Sequence, residues 1–400
     1  MPRINPKILR WARKTAGLTP DEAVKKLAIN DARGINALDR LAALETGETI
    51  PSRPLLVKMA KLYRRPLLTF YLPSIPLKGE RGEDFRTFPE PVSESESALV
   101  DALVRDVRAR QALMRSALEA TDEAQPVPFI GSVKREEGIT SVVEAIEGTL
   151  GFDREAFRRK KPAHEAFAYL RGLTEAAGIF VLLLDNLGSW HTTIDPELFR
   201  GFALADDIAP LVAINANDSP SAWSFTLVHE LAHLWLGATG VSGGMAERAV
   251  EKFSNDVASE LLVPNAELGI FVISEEMPLE DAMTRISDFA TDRNVSSTMV
   301  AYKLYRSGKF NFDHYQKIKT AYRKLFLDRK AAERARARGK SSGPSYHVVR
   351  KHRVGSSLIR FVERMMKEQN LSTTEAGKVL GVGAHNVHAL IEQARPNHIS

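Results

Sequence analysis

The sequence contains no cysteine and no long hydrophobic segment. Because none of its 400 residues is a cysteine, neither a disulfide framework nor a thiolate zinc site can form, as is usual in a reducing cytosol. The longest apolar runs, such as residues 179–184, are far too short to span a bilayer. Residues 1–6 do not lead into the apolar core of a signal peptide. We therefore expect a cytoplasmic protein that has no membrane partner.

The charge of the chain is unevenly distributed. The total is +5, but residues 1–73 carry a net +8 and residues 323–353 a net +9, which leaves −12 for the remainder. Clusters of basic residues can attract nucleic acid, although a solvated surface or a flexible linker is the better explanation of the second one. The length predicts two to three domains, and the hydrophobic content of 44% is ordinary for a globular protein.

The most informative motif is His229-Glu230-Leu231-Ala232-His233, an H-E-x-x-H pattern inside an apolar segment. Residues four apart leave the same face of an α-helix, about 6 Å apart along its axis. The spacing directs both imidazoles toward one ion and places Glu230 beside it. Two histidines, a third protein ligand and an open position are typical of catalytic zinc, where a glutamate takes a proton from the activated water. The alternative is a buried helix with two satisfied histidines.

Local signals delimit the helix that carries this motif. Asp218 or Ser219 can cap its N-terminus, Pro220 suits the first helical position, and Gly237 can end it. The helix is apolar on nearly every side, so we expect it to be buried. A buried His-Glu-His cluster needs a partner such as a metal ion.

A later helix is expected to supply the third ligand. Residues 247–263 have apolar positions at helical spacing, and Glu247 and Glu251 share one face of that segment. Either carboxylate could complete the site, and the other would lie on the surface. The longer metzincin motif is absent, because Leu236 and Thr239 occupy the positions of its glycine and third histidine.

Three segments around the H-E-x-x-H motif form a recognisable pattern with it: Phe199-Arg200-Gly201-Phe202, Leu211-Val212-Ala213-Ile214-Asn215, and Glu251-x-x-x-Asn255-x-x-Ala258-x-Glu260-Leu261-Leu262-Val263-Pro264. With these segments, residues 165–310 resemble the ImmA/IrrE family of zinc metallopeptidases. The resemblance implies that His229, His233 and Glu251 hold Zn²⁺ and that Glu230 is the catalytic general base. Proteases of this family cleave helix-turn-helix repressors and so switch on mobile-element or stress-response genes. A transcriptional repressor or a toxin–antitoxin-type partner is thus the implied protein substrate.

The N-terminal region contains Gly17-Leu18-Thr19, Glu45-x-Gly47, Pro51-Ser52 and Ala60-x-x-Tyr63-x-x-Pro66-Leu67. In these residues it is similar to an XRE-type helix-turn-helix module. Extra sequence at residues 30–36 departs from that pattern. The helix that should read bases offers only Asn36, Asp39 and Arg40 among alanines and leucines, whereas major-groove readout needs polar side chains aimed at base edges. The sequence is therefore compatible with a module that binds DNA, with one that contacts a protein partner, and with one that packs on the protease domain.

These patterns predict an α+β, mostly helical protein. We expect a helix-turn-helix-like module at residues 1–73, a connector and long helix at 74–135, and a C-terminal helical module at 346–400. Between them, residues 136–325 would form a zincin-like metallopeptidase domain with a small sheet built from strands near 178–184 and 211–214. In the C-terminal module, a capping box at Ser372 and a glycine turn at Gly381 predict two short helices, either a second helix-turn-helix or a plain hairpin.

Two functions are compatible with the sequence. The first is a zinc-dependent endopeptidase that cleaves a regulatory protein. The second is a DNA-binding transcriptional regulator or antitoxin whose protease-like domain senses a ligand or a partner. The complete set of His229, Glu230, His233 and Glu251 favours the enzyme, because a sensor has no use for a general base.

Overall fold

The chain folds into an α+β structure in which helices predominate, as predicted. The computed structural model describes residues 4–32, 34–76, 93–121, 123–187, 192–237, 245–269, 271–273, 277–338 and 345–395. None of the helices in these ranges is long and apolar enough to cross a membrane.

The N-terminal region is a bundle of four helices: α1 (Pro6–Thr15), α2 (Pro20–Leu27), α3 (Ala37–Thr46) and α4 (Arg53–Leu62). The predicted capping box of α2 is present, with the Thr19 hydroxyl accepting from the amide of Glu22 and the Glu22 carboxylate accepting from the amide of Thr19. Large side chains such as Leu41, Leu56 and Phe70 form a separate small core inside this bundle.

A long helix and three shorter ones lead into the sheet. They are α5 (Glu94–Ala120), α6 (Ile139–Leu150), α7 (Arg154–Arg159) and α8 (Ala163–Ala176). The sheet contains β1 (Phe180–Leu184), β2 (Gly201–Leu204) and β3 (Leu211–Asn215). The remaining helices are α9 (Pro220–Leu236), α10 (Met245–Leu262), α11 (Asn265–Leu268), α12 (Leu279–Asp292), α13 (Ser297–Arg306), α14 (Phe312–Arg338), α15 (Tyr346–Val354), α16 (Ser356–Lys367), α17 (Thr373–Leu380) and α18 (Val387–Ala394).

The strand order is β1-β3-β2, with β1 parallel and β2 antiparallel to β3. Successive side chains of a strand point to opposite faces of a sheet. On one face, Val212 and Ile214 belong to a core shared with α8, α9 and α10. On the other face, Leu211 and Ala213 belong to a second core shared with α5 and the C-terminal helices. The sheet is thus covered by helices on both faces.

The structure adds two details to the sequence predictions. Strand β2 was not predicted, because its four residues are too short for a periodic pattern and include a glycine. The basic segment at residues 323–353 is helical in α14 as far as Arg338 and again in α15 from Tyr346. The division of the chain into four modules stays a prediction.

Arg171 on α8 connects the sheet to the C-terminal helices. Its side chain is buried and paired with Glu175 at 2.7 Å. The guanidinium also donates to the carbonyl oxygens of Val181 on β1 and of His352 on α15, the latter at 2.8 Å. One buried cation therefore satisfies acceptors from three separate elements, and the paired carboxylate offsets the cost of burying it.

We expect Arg171→Ala to lower the free energy of unfolding by about 3 kcal/mol, because it leaves the Glu175 carboxylate buried and unpaired. Urea unfolding followed by circular dichroism measures the change. Arg159→Ala on α7 is the matched control, since the Arg159 side chain is 69% exposed and its loss should have little effect. Equal stabilities of the two variants would contradict this account of how the C-terminal helices are held.

Candidate metal centre

Helix α9 carries the H-E-x-x-H motif in the centre of the larger core. Pro220 occupies the first turn, and Gly237 ends the helix with a φ of 58°, a left-handed conformation that suits glycine, so both predicted boundaries are confirmed. The predicted cap is different in detail: the Ser219 hydroxyl lies 3.2 Å from that of Ser221 and caps no backbone amide. The helix is buried nearly all round because its side chains are apolar on every side, apart from Ser221, Ser224, Thr226 and the polar residues of the motif.

The motif residues are as buried as their apolar neighbours. His229 and Glu230 have no exposed surface, and His233 is 3% exposed. Glu251 on α10 faces the two histidines and keeps 15% of its side-chain surface exposed. Glu251 therefore marks the side on which the cluster approaches solvent.

Two imidazoles and one carboxylate converge in this cluster. The Nε2 atoms of His229 and His233 lie 3.2 Å apart. Oε2 of Glu251 lies 3.4 Å from Nε2 of His229, and Oε1 of Glu251 lies 3.4 Å from Nε2 of His233. Within the part of the chain that the structure describes, these residues form the one group of three side chains that could hold a metal ion.

The three spacings fit a tetrahedral ion. Donors about 2.1 Å from a tetrahedral centre lie about 3.4 Å apart along each edge. The two Nε2 atoms are 3.2 Å apart and each lies 3.4 Å from one Glu251 oxygen, which is close to that edge length, so the donors are spaced to converge on one ion. Imidazole nitrogens together with one carboxylate oxygen are a donor set that suits Zn²⁺ and related divalent ions.

The Glu251 carboxylate is held in its charged form. Burial raises the pKa of this group, but the contacts with His229 and His233 more than offset burial and hold the pKa well below its usual range. A carboxylate in this position requires positive charge beside it. Protonated imidazoles or a bound cation can supply that charge.

Glu230 lies on a different stripe of α9 from the two histidines. Thr226 and Glu230, four residues apart, face β2, whereas His229 and His233 face α10. An ideal Cβ atom built on Gly201 of β2 would lie 2.8 Å from Oε1 of Glu230. The carboxylate therefore lies against the backbone of this strand, beside the cluster but outside its three ligand atoms.

The structure brings together His229, His233 and Glu251 from the set of predicted site residues. The side chain of Glu247, the alternative third ligand, lies outside the described residues. Sequence reasoning gave no role to Gly201, although a glycine inside a strand often indicates a close approach of another group.

The surroundings of the cluster define a class of protein. A buried helix that carries two histidines packs on a small mixed sheet and faces a glutamate from the next helix, which makes this an α+β domain whose clustered side chains could hold a metal ion. The peptidase M78 family model, described as the IrrE N-terminal-like domain, matches residues 175–305. That match covers about a third of the chain, including the sheet and all three clustered residues, and points to a metallopeptidase domain of the ImmA/IrrE family. Neither the curated proteins nor the solved structures gave a match to this chain.

We expect the purified chain to bind one divalent ion, and we expect the double variant His229→Ala/His233→Ala to lose it, because two of three donors are removed. Elemental analysis after dialysis measures the metal content. The matched control is His385→Ala/His388→Ala, which removes two exposed histidines from the C-terminal helices.

Single substitutions then decide the third ligand. Glu251→Ala should weaken metal binding, whereas Glu247→Ala should leave it close to that of the unmodified chain. The opposite pattern would assign the third position to Glu247.

Proposed function

We propose that this chain is a zinc-dependent endopeptidase that cleaves a regulatory protein in the cytoplasm. His229, His233 and Glu251 would hold the ion, and Glu230 would act as the general base. The observation that carries the proposal is the convergence of two imidazole nitrogens of α9 and a carboxylate of α10 at 3.2–3.4 Å. The residue that follows the first of these histidines is a buried glutamate, Glu230.

Each residue has a defined task in this reaction. A bound zinc ion supplies Lewis-acid polarisation of the scissile carbonyl and lowers the pKa of the attacking water. Glu230 takes one proton from that water as its oxygen attacks the carbonyl carbon. The same carboxyl group then gives the proton to the nitrogen of the departing amine, so that Glu230 ends the cycle ionised. His229, His233 and Glu251 stay unprotonated at their ligand atoms throughout.

The sheet offers a means of holding an extended substrate. Strand β2 lies at one end of the strand order among the described residues, and its backbone borders Glu230. A peptide that adds to a sheet in extended form presents its backbone carbonyls in a regular row. Such a register beside β2 would place a scissile carbonyl near the general base, which supports cleavage within a chain rather than at an end.

The choice of a regulatory protein as substrate comes from the family. Proteases similar to this one act on helix-turn-helix repressors, and the domain matched here belongs to the IrrE N-terminal-like type. A repressor or a toxin–antitoxin-type partner is therefore the substrate class that we propose.

The alternative, a DNA-binding regulator, draws support from the basic N-terminal module and its net charge of +8. The side chains of α3 count against specific readout. The Asn36 side chain caps α3 by accepting from the Asp39 amide at 2.8 Å, and its amide group donates to the Asp39 carboxylate. The Arg40 guanidinium donates to the carbonyl of Asn30. The three residues that could read bases are thus engaged in holding the helix and the preceding loop.

We expect Glu230→Gln to reduce proteolysis by roughly 10²–10⁴-fold while the metal content stays the same, because an amide cannot accept the proton. The zinc-loaded chain is incubated with a protein extract of an organism that carries its gene, and new N-termini are mapped by mass spectrometry. Glu144→Gln, an exposed glutamate on α6, is the matched control. Identical sets of new N-termini from both variants would contradict the mechanism.

We expect the full chain to bind DNA weakly, with steep salt dependence and little sequence preference, because the attraction is to phosphates and α3 offers few free base-reading groups. A gel-shift series over increasing salt, with a promoter fragment and a scrambled competitor, tests this. Tight binding that resists the competitor would move the regulator ahead of the enzyme.

A further inference from the structure

A glycine stands where strand β2 faces the helix of the metal cluster. Gly201 pairs with Ile214 and Ala203 pairs with Val212 across the antiparallel ladder. Paired residues point to the same face of a sheet, and Ile214 and Val212 belong to the core on the α9 side. The two residues of β2 on this face are therefore small, whereas their neighbours on β3 are large.

No side chain fits at Gly201. An ideal Cβ atom there would lie 2.5 Å from Cγ2 of Thr226, 2.8 Å from Oε1 of Glu230 and 3.2 Å from the carbonyl oxygen of Ala213. The first two distances are well inside van der Waals contact. The space that a side chain would fill is occupied by the carboxylate of Glu230 and the methyl group of Thr226.

The backbone on both sides of this contact is fixed. Asn215 donates its amide to the carbonyl of Arg200 at 2.7 Å and its side-chain amide to the carbonyl of Phe199 at 3.0 Å, which holds the start of β2. The indole of Trp223 on α9 donates to the carbonyl of Asn215 at 3.1 Å. Strand and helix are thus both tied to Asn215.

We propose that Gly201 is a positioning residue for Glu230. Its missing side chain lets the edge strand approach α9 closely enough for the strand backbone to form a wall against the carboxylate. This inference rests on the proposed function for its catalytic meaning, since the carboxylate so placed is the proposed general base. Glycine weakens a strand because it has no side chain to pack and loses more backbone entropy on folding, so a close approach is the physical reason for accepting it here.

The decisive variant distinguishes the contact of the added Cβ with the Glu230 carboxylate from its contact with the Thr226 methyl group. Gly201→Ala alone collides with both Thr226 and Glu230, and it can simply destabilise the fold. In Gly201→Ala/Thr226→Ser the nearest methyl group is gone, so the added Cβ is left mainly against the carboxylate. Thr226→Ser by itself is the reference. Gly172→Ala on α8, where an added Cβ meets nothing within 4 Å, is the matched glycine control.

The readout is the affinity of a leucine-based dipeptide hydroxamate for each zinc-loaded variant, measured by calorimetry. A hydroxamate binds the ion through its oxygens and donates a hydrogen bond to the neighbouring carboxylate, so its affinity reports where Glu230 lies. We expect Gly201→Ala/Thr226→Ser to keep its zinc and to bind the probe about 10- to 100-fold more weakly than Thr226→Ser, the value of one hydrogen bond to a charged group. Equal affinities would overturn the proposal.

A second measurement needs neither metal nor activity. In the Thr226→Ser background, Gly201→Ala should lower the thermal midpoint much more when Glu230 is present than when it is replaced in Glu230→Ala, because the shortened side chain leaves room for the added Cβ. Equal shifts in the two backgrounds would show that the carboxylate does not occupy this space. Failure of the zinc-loaded unmodified chain to bind the hydroxamate would instead count against the proposed function, and the thermal comparison would still decide the position of Glu230.

Discussion

The structure depends on the complete burial of α9. A helix that is apolar all round gains stability only when other elements cover it on every side. The sheet covers one side, α10 another, and α8 and α6 contribute to the same core. Residues 129–133 close the C-terminal end, where Phe129 stacks on Trp235 with ring centroids 4.4 Å apart. The elements between residues 139 and 262 are therefore packed around this helix.

The polar residues buried around α9 oppose the hydrophobic stabilisation of this core. Two imidazoles and two carboxylates lie where an apolar core would otherwise be, and a buried charge is costly unless opposite charge accompanies it. Without a metal ion, the positive charge that offsets this cost for Glu251 would have to come from protons taken up by the two imidazoles. A divalent ion would supply the positive charge without those protons. Binding of an ion by His229, His233 and Glu251 would therefore also stabilise the folded chain.

Local signals in the sequence account for the features that were predicted well. The boundaries of α9 follow from Pro220 and Gly237, and the shared face of His229 and His233 follows from helical geometry alone. Strand β2 could not be predicted, because its identity depends on pairing with β3 and not on its own four residues. Glu247 and Glu251 share one face of α10, so the choice between them depends on how far α10 is shifted along α9, which is a property of tertiary packing. The residues of the motif can be read from the chain, but the groups that position them cannot.

The sheet links the site to the rest of the molecule. Strand β3 has Val212 and Ile214 in the core of the metal cluster and Leu211 and Ala213 in the core that contains α5 and the C-terminal helices. Arg171 adds a polar connection between the same layers by binding carbonyls of β1 and α15. A displacement of the C-terminal helices would therefore act on the sheet directly. Because the missing side chain of Gly201 lets β2 lie against Glu230, such a displacement would reach the proposed general base through the backbone of two adjacent strands, without passing through His229, His233 or Glu251.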